Sequence, residues 1–215
     1  MKSYVNTLLD NDARVIYTPI IDEMKLLCPE TFTRKIPEAN VQQAFVYDYI
    51  YNLLMQYYYN APDVLGVGCF EDTAYESLVK LSFPVVGIDP ATNGETLESF
   101  FGRTNNKFDI VFSTSVIEHV PNDENFLDKI CKLLKPGGFG ILTTDFKNSW
   151  KPGEPVPYSN ERLYTEYDLE FRLRKIIEAN NCHYINEPCW TGDPDFWYQG
   201  HTYSFATIIF RKDKE

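Results

Sequence analysis

Gly66 and Gly68 sit in the stretch VLGVGCFEDT (64–73), and Asp89 closes the stretch VVGID (85–89) about twenty residues later, a spacing with a chemical meaning. Glycines lack a Cβ, so the backbone can turn tightly there and a ligand can come close; a helix opening just beyond presents free N–H groups. A carboxylate at this distance can accept both hydroxyls of an adenosine ribose. The other reading of Asp89 is a cap on the turn it makes with Pro90. A pyrophosphate loop needs a third glycine, but Phe70, Glu71 and Asp72 fill that region. Two carboxylates repel a pyrophosphate and suit a nucleoside that carries an ammonium and a sulfonium instead. S-adenosylmethionine (SAM) is such a cofactor.

Three further residues have the chemistry of a proton acceptor or substrate contact. His119 follows the run FSTS (112–115), and histidine as a side-chain type titrates near neutral pH. Asp145 ends TTD (143–145), where it either meets an acceptor hydroxyl or caps a strand end. His201 closes the aromatic run GDPDFWYQGH (192–201), whose rings either stack on a sugar or other ring or cover the core. No carboxylates or histidines have metal-ligand spacing, so no metal is expected.

These residues need a scaffold that brings strand ends together. From residue 63 onward, strand-like and helix-like stretches alternate at short spacing, which predicts an α/β fold with a mainly parallel sheet. Strands are expected at 63–68, 84–89, 107–113 and 139–145, and a further one around TLESFF (96–101). Helices are expected at 71–81, at 122–135, where Pro136, Gly137 and Gly138 stop it, and from Thr165 to Asn180. Residues 147–162, with three prolines and a glycine, read as a loop that shapes a pocket. The chain should close with an antiparallel pair, 183–190 and 202–212, joined by the loop between them. Residues 1–60 read as a helical N-terminal extension or lid, and 61–215 as the ligand-binding domain. In VQQAFVYDYIYNLLMQYYY (41–59), Val41, Phe45, Tyr49 and Leu53 share a stripe; it reads as a packing helix, or as a lid whose tyrosines face a ligand.

Composition narrows the partners. With 44% hydrophobic and 15% aromatic residues, the 215-residue chain should bury a full core. A formal net charge of -11 repels polyanions, so nucleic acid is not expected. No uninterrupted apolar run marks a signal or membrane span in the first thirty residues, and five cysteines without CxxC spacing suggest reduced thiols; a cytoplasmic location away from membranes is expected.

Taken in order, VLGVGCFEDT, VVGIDP, FDIVFSTSVIEHV and LLKPGGFGILTTDF resemble the successive motifs of class I SAM-dependent methyltransferases, especially the type-11-like group acting on small molecules and glycans. The resemblance implies a Rossmann-like, seven-stranded, mostly parallel sheet with an antiparallel C-terminal strand. It also implies a cofactor set of Gly66, Gly68, Cys69, Phe70, Asp89, Pro90 and Ser113, with Gly68 and Cys69 at the methionine moiety and Asp89 at the ribose. Candidate catalytic residues are His119, Asp145 and His201. Here Gly66 replaces the family's acidic residue before the loop, and Phe70 and Asp72 replace its two later glycines. The expected activity is methyl transfer to a small-molecule or saccharide acceptor, oxygen rather than nitrogen. Two alternatives stand beside it: a non-catalytic SAM-fold binding subunit, and an NAD(P)-dependent oxidoreductase, the latter weakened because this chain has neither the third glycine nor any Tyr followed four residues later by Lys.

Overall fold

The computed structural model describes residues 4–57 and 62–214. A short strand β1 (Leu8–Leu9) leads into helices α1 (Asn11–Ile16), α2 (Thr18–Leu27), α3 (Pro29–Phe32) and α4 (Asn40–Tyr57). Strand and helix then alternate: β2 (Val64–Val67), α5 (Thr73–Lys80), β3 (Val85–Ile88), α6 (Pro90–Asn93), α7 (Leu97–Arg103), β4 (Phe108–Thr114), α8 (Asp123–Leu133) and β5 (Leu134–Phe146). After a long loop come a π-helical segment (Asp168–Leu173) continuing into α9 (Arg174–Ala179), then β6 (Cys182–Tyr184), β7 (Phe196–Tyr198) and β8 (His201–Lys212).

Strands β3, β2, β4 and β5 lie parallel in that order, and β8 joins β5 antiparallel. The far edge of β8 is shared along its length by three short antiparallel partners, β7, β1 and β6. The sheet therefore has eight strands where seven were expected. One of them, β1, comes from the N-terminal residues and pairs Leu8 with Ala206.

Side chains alternate across the sheet as the pleat requires. Val64, Ile110, Phe112 and Ile141 face one layer and pack with Met24, Phe45 and Ile50 of the N-terminal helices. Leu65, Val111 and Leu142 face the other, with Leu127 and Ile130 of α8 and Leu173 beside α9. Within α4, Tyr47, Tyr49 and Tyr51 are packing groups. Tyr47 donates to Glu23 Oε1 at 3.0 Å, Tyr49 stacks on Phe45, and Tyr51 meets Phe83 edge-on. Residues 58 and 59 of that predicted helix lie outside the described residues.

Three local expectations are corrected. The strand expected at 96–101 is helix α7, because Thr96 and Ser99 form a reciprocal capping box and Leu97 and Phe100 are buried one turn apart. The strand expected at 183–190 ends at Tyr184: farther along, β1 already occupies the edge of β8, and Pro188 has no N–H to offer a ladder. The expected loop before the last strand contains β7, which turns into β8 through Gln199 and Gly200. Both have positive φ, 49° and 84°, as a tight two-residue hairpin needs.

Candidate functional site

From β2 the chain adds β3 on one side and then crosses back to place β4 on the other. Ligands of open parallel sheets sit where the order reverses in this way, outside the carboxyl ends of the strands. A cleft of about 620 Å³ opens there, lined by Gly68 after β2, Asp89 after β3, and Thr114 to Val116 after β4.

The turn after β2 is specified by close approach. Gly68 has φ of 80°, and a Cβ at this position would lie 2.4 Å from Val116 Cγ2. Its N–H donates to the Ile88 carbonyl at 2.8 Å, which ties the turn to the end of β3. Asp72 then caps α5 by accepting from the Ala74 and Tyr75 amides at 2.8 and 3.2 Å. Burial pushes the Asp72 carboxyl above its ordinary pKa, although Lys35 nearby opposes the shift. Asp89 does two things: it caps α6 through the Ala91 amide at 2.6 Å, and it lines the cleft.

The opposite wall comes from the N-terminal residues. Arg34, Lys35 and Gln43 face Glu71 and Asp72 there, and Arg34 Nε reaches Glu71 Oε1 at 2.6 Å. Gln43 is buried near the start of α4, and its Oε1 has no hydrogen-bond partner among the described residues. A buried acceptor in this state is costly unless a ligand supplies a donor.

Next to the cleft lies a chamber of about 270 Å³. The two share Ile36, Ala39, Gln42, Ser115, His119, Ser159 and Tyr198 as common wall. Phe196 and Tyr198 of β7 with Tyr203 and Phe205 of β8 give the chamber an aromatic side. His119 Nδ1 lies 2.9 Å from the Ser159 carbonyl. A carbonyl only accepts, so Nδ1 carries the proton and Nε2 of the neutral ring keeps its lone pair.

Asp145, 5% exposed, lines the same chamber and accepts from Asn160 Nδ2 at 2.9 Å. Burial first, and the Glu118 carboxyl second, push its pKa well above the usual aspartate range. Glu118 is fully buried behind it, held by the Ser115 hydroxyl at 2.7 Å and the Thr144 hydroxyl at 3.1 Å.

The structure thus brings Gly68, Phe70, Asp89 and His119 of the expected residues to the cleft, and His119 and Asp145 to the chamber. The others sit elsewhere. A Cβ on Gly66 would press on Phe112 and Tyr75, so this glycine makes room for packing. Cys69 is buried, Pro90 opens α6, and Ser113 Oγ donates to the Val67 carbonyl between β4 and β2. His201 starts β8, paired with Tyr198 across the hairpin, and lines neither cavity. Sequence reasoning missed the N-terminal wall. The available signal was Gln42 and Gln43 side by side, two amides opening a helix whose following turns are largely apolar and aromatic. Among the described residues no three His, Cys, Asp or Glu side chains form a group able to hold a metal ion.

Comparison with known proteins identifies the family. Residues 23–187 match a family described as a methyltransferase domain. The human mitochondrial ubiquinone biosynthesis O-methyltransferase is 32% identical over 148 residues, covering 54% of this chain and 40% of that protein. The Bartonella bacilliformis ubiquinone biosynthesis O-methyltransferase is 26% identical over 164 residues, covering 62% of this chain and 66% of its own length. The chain spans between 35% and 40% of the length of the Dictyostelium discoideum and human relatives. A SAM-dependent methyltransferase from Clostridium acetobutylicum has the same fold, with a TM-score of 0.55 at 15% identity, over 86% of this chain and 99% of that one. So does the magnesium protoporphyrin IX methyltransferase of Synechocystis with bound SAM, with a TM-score of 0.52 at 14% identity, over 94% and 98% of the two chains.

Proposed function

Because this chain belongs to the methyltransferase-domain family and has the fold of class I SAM-dependent enzymes, we propose that it transfers a methyl group from SAM to a hydroxyl of a small molecule held in the aromatic chamber. One observation carries this reading: the cleft at the switch point and the chamber share a wall that contains His119, so a donor in one and an acceptor in the other meet at that residue.

The residues of the cleft fit the cofactor. Lys35 and Arg34 suit its carboxylate, the buried Gln43 oxygen and the Glu71 and Asp72 carboxylates suit its ammonium and sulfonium, and Asp89 suits its ribose. When bound, SAM supplies an electrophilic methyl on a sulfonium. The protein's own task is alignment and proton transfer. Ser159 fixes the His119 tautomer, so Nε2 accepts the proton that the hydroxyl loses, and the aromatic side of the chamber excludes water and holds a ring. A saccharide ring or an aromatic ring both suit such a wall. The ubiquinone-biosynthesis relatives favour an oxygen acceptor.

The test combines calorimetry with a labelled-methyl assay. SAM should bind the purified chain, and Asp89→Ala should weaken that binding by about tenfold or more, as the loss of hydrogen bonds to a charged partner implies. His119→Gln should cut turnover by about 100-fold with SAM affinity unchanged. No binding of SAM, or full turnover by His119→Gln, would overturn the assignment.

A further inference from the structure

Asp145 and Glu118 are an unusual pair to leave at the floor of an acceptor site. Both are buried, one is a direct lining group, and among the described residues no lysine or arginine lines the chamber to balance them. Arginines that could serve are paired elsewhere: Arg162 and Arg172 with Asp123, and Arg34 of the neighbouring cleft with Glu71. A second feature points to the same missing partner. Gln42, 2% exposed and shared by cleft and chamber, has a buried Oε1 without a hydrogen-bond partner among the described residues. A third is the ring cluster above the carboxyl: Phe196 lies 5.1 Å from Tyr203 and 4.7 Å from Phe205, centroid to centroid.

A buried carboxyl pair, an unpaired carbonyl acceptor and a wall of aromatic faces share one complement. An ammonium brings positive charge to the carboxyls, N–H donors to the amide oxygen and a cation to the rings. An anionic group would meet repulsion from all of them, and a neutral one would leave the charge unbalanced. Resting on the reading of this chamber as the acceptor site, we propose that the acceptor carries an ammonium group that seats against Asp145, in addition to the hydroxyl presented to His119. Asp145 is then a specificity residue that touches substrate, with Glu118 adding the negative charge of a second carboxyl behind it.

Three phenols of one size that differ only in the charge of the arm test this: tyramine (ammonium), tyrosol (neutral) and 4-hydroxyphenylacetate (carboxylate). Each is titrated calorimetrically into the full chain, both saturated with S-adenosylhomocysteine and free of it. Tyramine should bind at least about tenfold tighter than 4-hydroxyphenylacetate, with tyrosol between them. Asp145→Asn, of the same shape, should bring the ratio to within about twofold, and Glu118→Gln should reduce it in the same direction, covering the case in which one variant fails to fold. Equal or reversed affinities in the wild type, a ratio that survives both substitutions, or no binding of any of the three would overturn the proposal. Failure of S-adenosylhomocysteine to bind would count against the cofactor assignment instead, and the titrations of the free chain would still decide the charge preference.

Discussion

Asp123 and Asp145 are both buried aspartates, and their surroundings are opposite. Asp123, 3% exposed at the start of α8, accepts from Arg172 at 2.8 Å and from the Tyr164 hydroxyl at 2.7 Å, and pairs with Arg162 at 2.7 Å. Burial alone would push its carboxyl up, but Arg172, Tyr164 and Arg162 outweigh that and hold it below the ordinary range. Asp145 has only neutral donors, Asn160 and the Tyr203 hydroxyl, and a second carboxyl as its charged neighbour, so burial and repulsion together push it up. The first arrangement pins α8 to the loop and to the π-helical segment that carries Arg172; it is complete without a ligand. The second is incomplete, and it faces a cavity. A buried charge with all its partners marks structure, whereas one short of partners beside a pocket marks a site.

The contrast is easiest to break at Asp123. Asp123→Ala leaves two arginines without their shared partner and should cost about 3–5 kcal/mol, read from the urea midpoint. Tyr164→Phe removes one hydrogen bond to the same carboxylate and should cost about 1.5–3 kcal/mol, with the arginine pairs intact in the spectrum of the folded protein. Asp145→Asn should go the other way, raising stability by about 0.5–2 kcal/mol because it removes a like-charge conflict. A loss as large as that at Asp123 would show that Asp145 has a structural partner.

The pH dependence of those midpoints should also have opposite signs. Asp123 has a folded pKa below its ordinary value of 3.8, so its contribution is present above that value and is lost as pH falls through the folded pKa. Asp145 has a folded pKa above 3.8, so the folded state holds its proton more tightly. Its stabilising effect is therefore full in acid and declines as pH rises from about 4 through the raised value. The stability difference between wild type and Asp123→Asn should shrink on acidification, and that between wild type and Asp145→Asn should turn against the wild type on the way to neutral pH.

Much of the scaffold was legible because its signals are local. Alternating apolar runs and the Asn122 cap placed β2 to β4 and α8 closely, and the two glycines with Asp89 pointed to the end of the sheet where the cleft opens; the helix ends at Leu133, however, and Pro136, Gly137 and Gly138, expected to stop it, lie inside β5, which starts at Leu134. The strand expected at 96–101 failed for a local reason too, since the Thr96–Ser99 capping box outweighed an apolar run. His201 and Ser113 were harder. Each stands at a place in the sequence where a ligand contact is reasonable, but the hairpin turns one away from the cavities, and the Val67 carbonyl holds the other between strands.

The sequence by itself determined the alternation of strand and helix, the glycine turn, and a carboxylate at the right spacing for a nucleoside, because each depends on residues close together in the chain. Only the tertiary structure decided that Arg34, Lys35 and Gln42–Gln43 wall the cleft, that β1 enters the sheet beside β8, and that Glu118 stands behind Asp145. Those pairings join residues far apart in sequence. They are set by which faces the core buries together, and no local pattern of residue types encodes that choice.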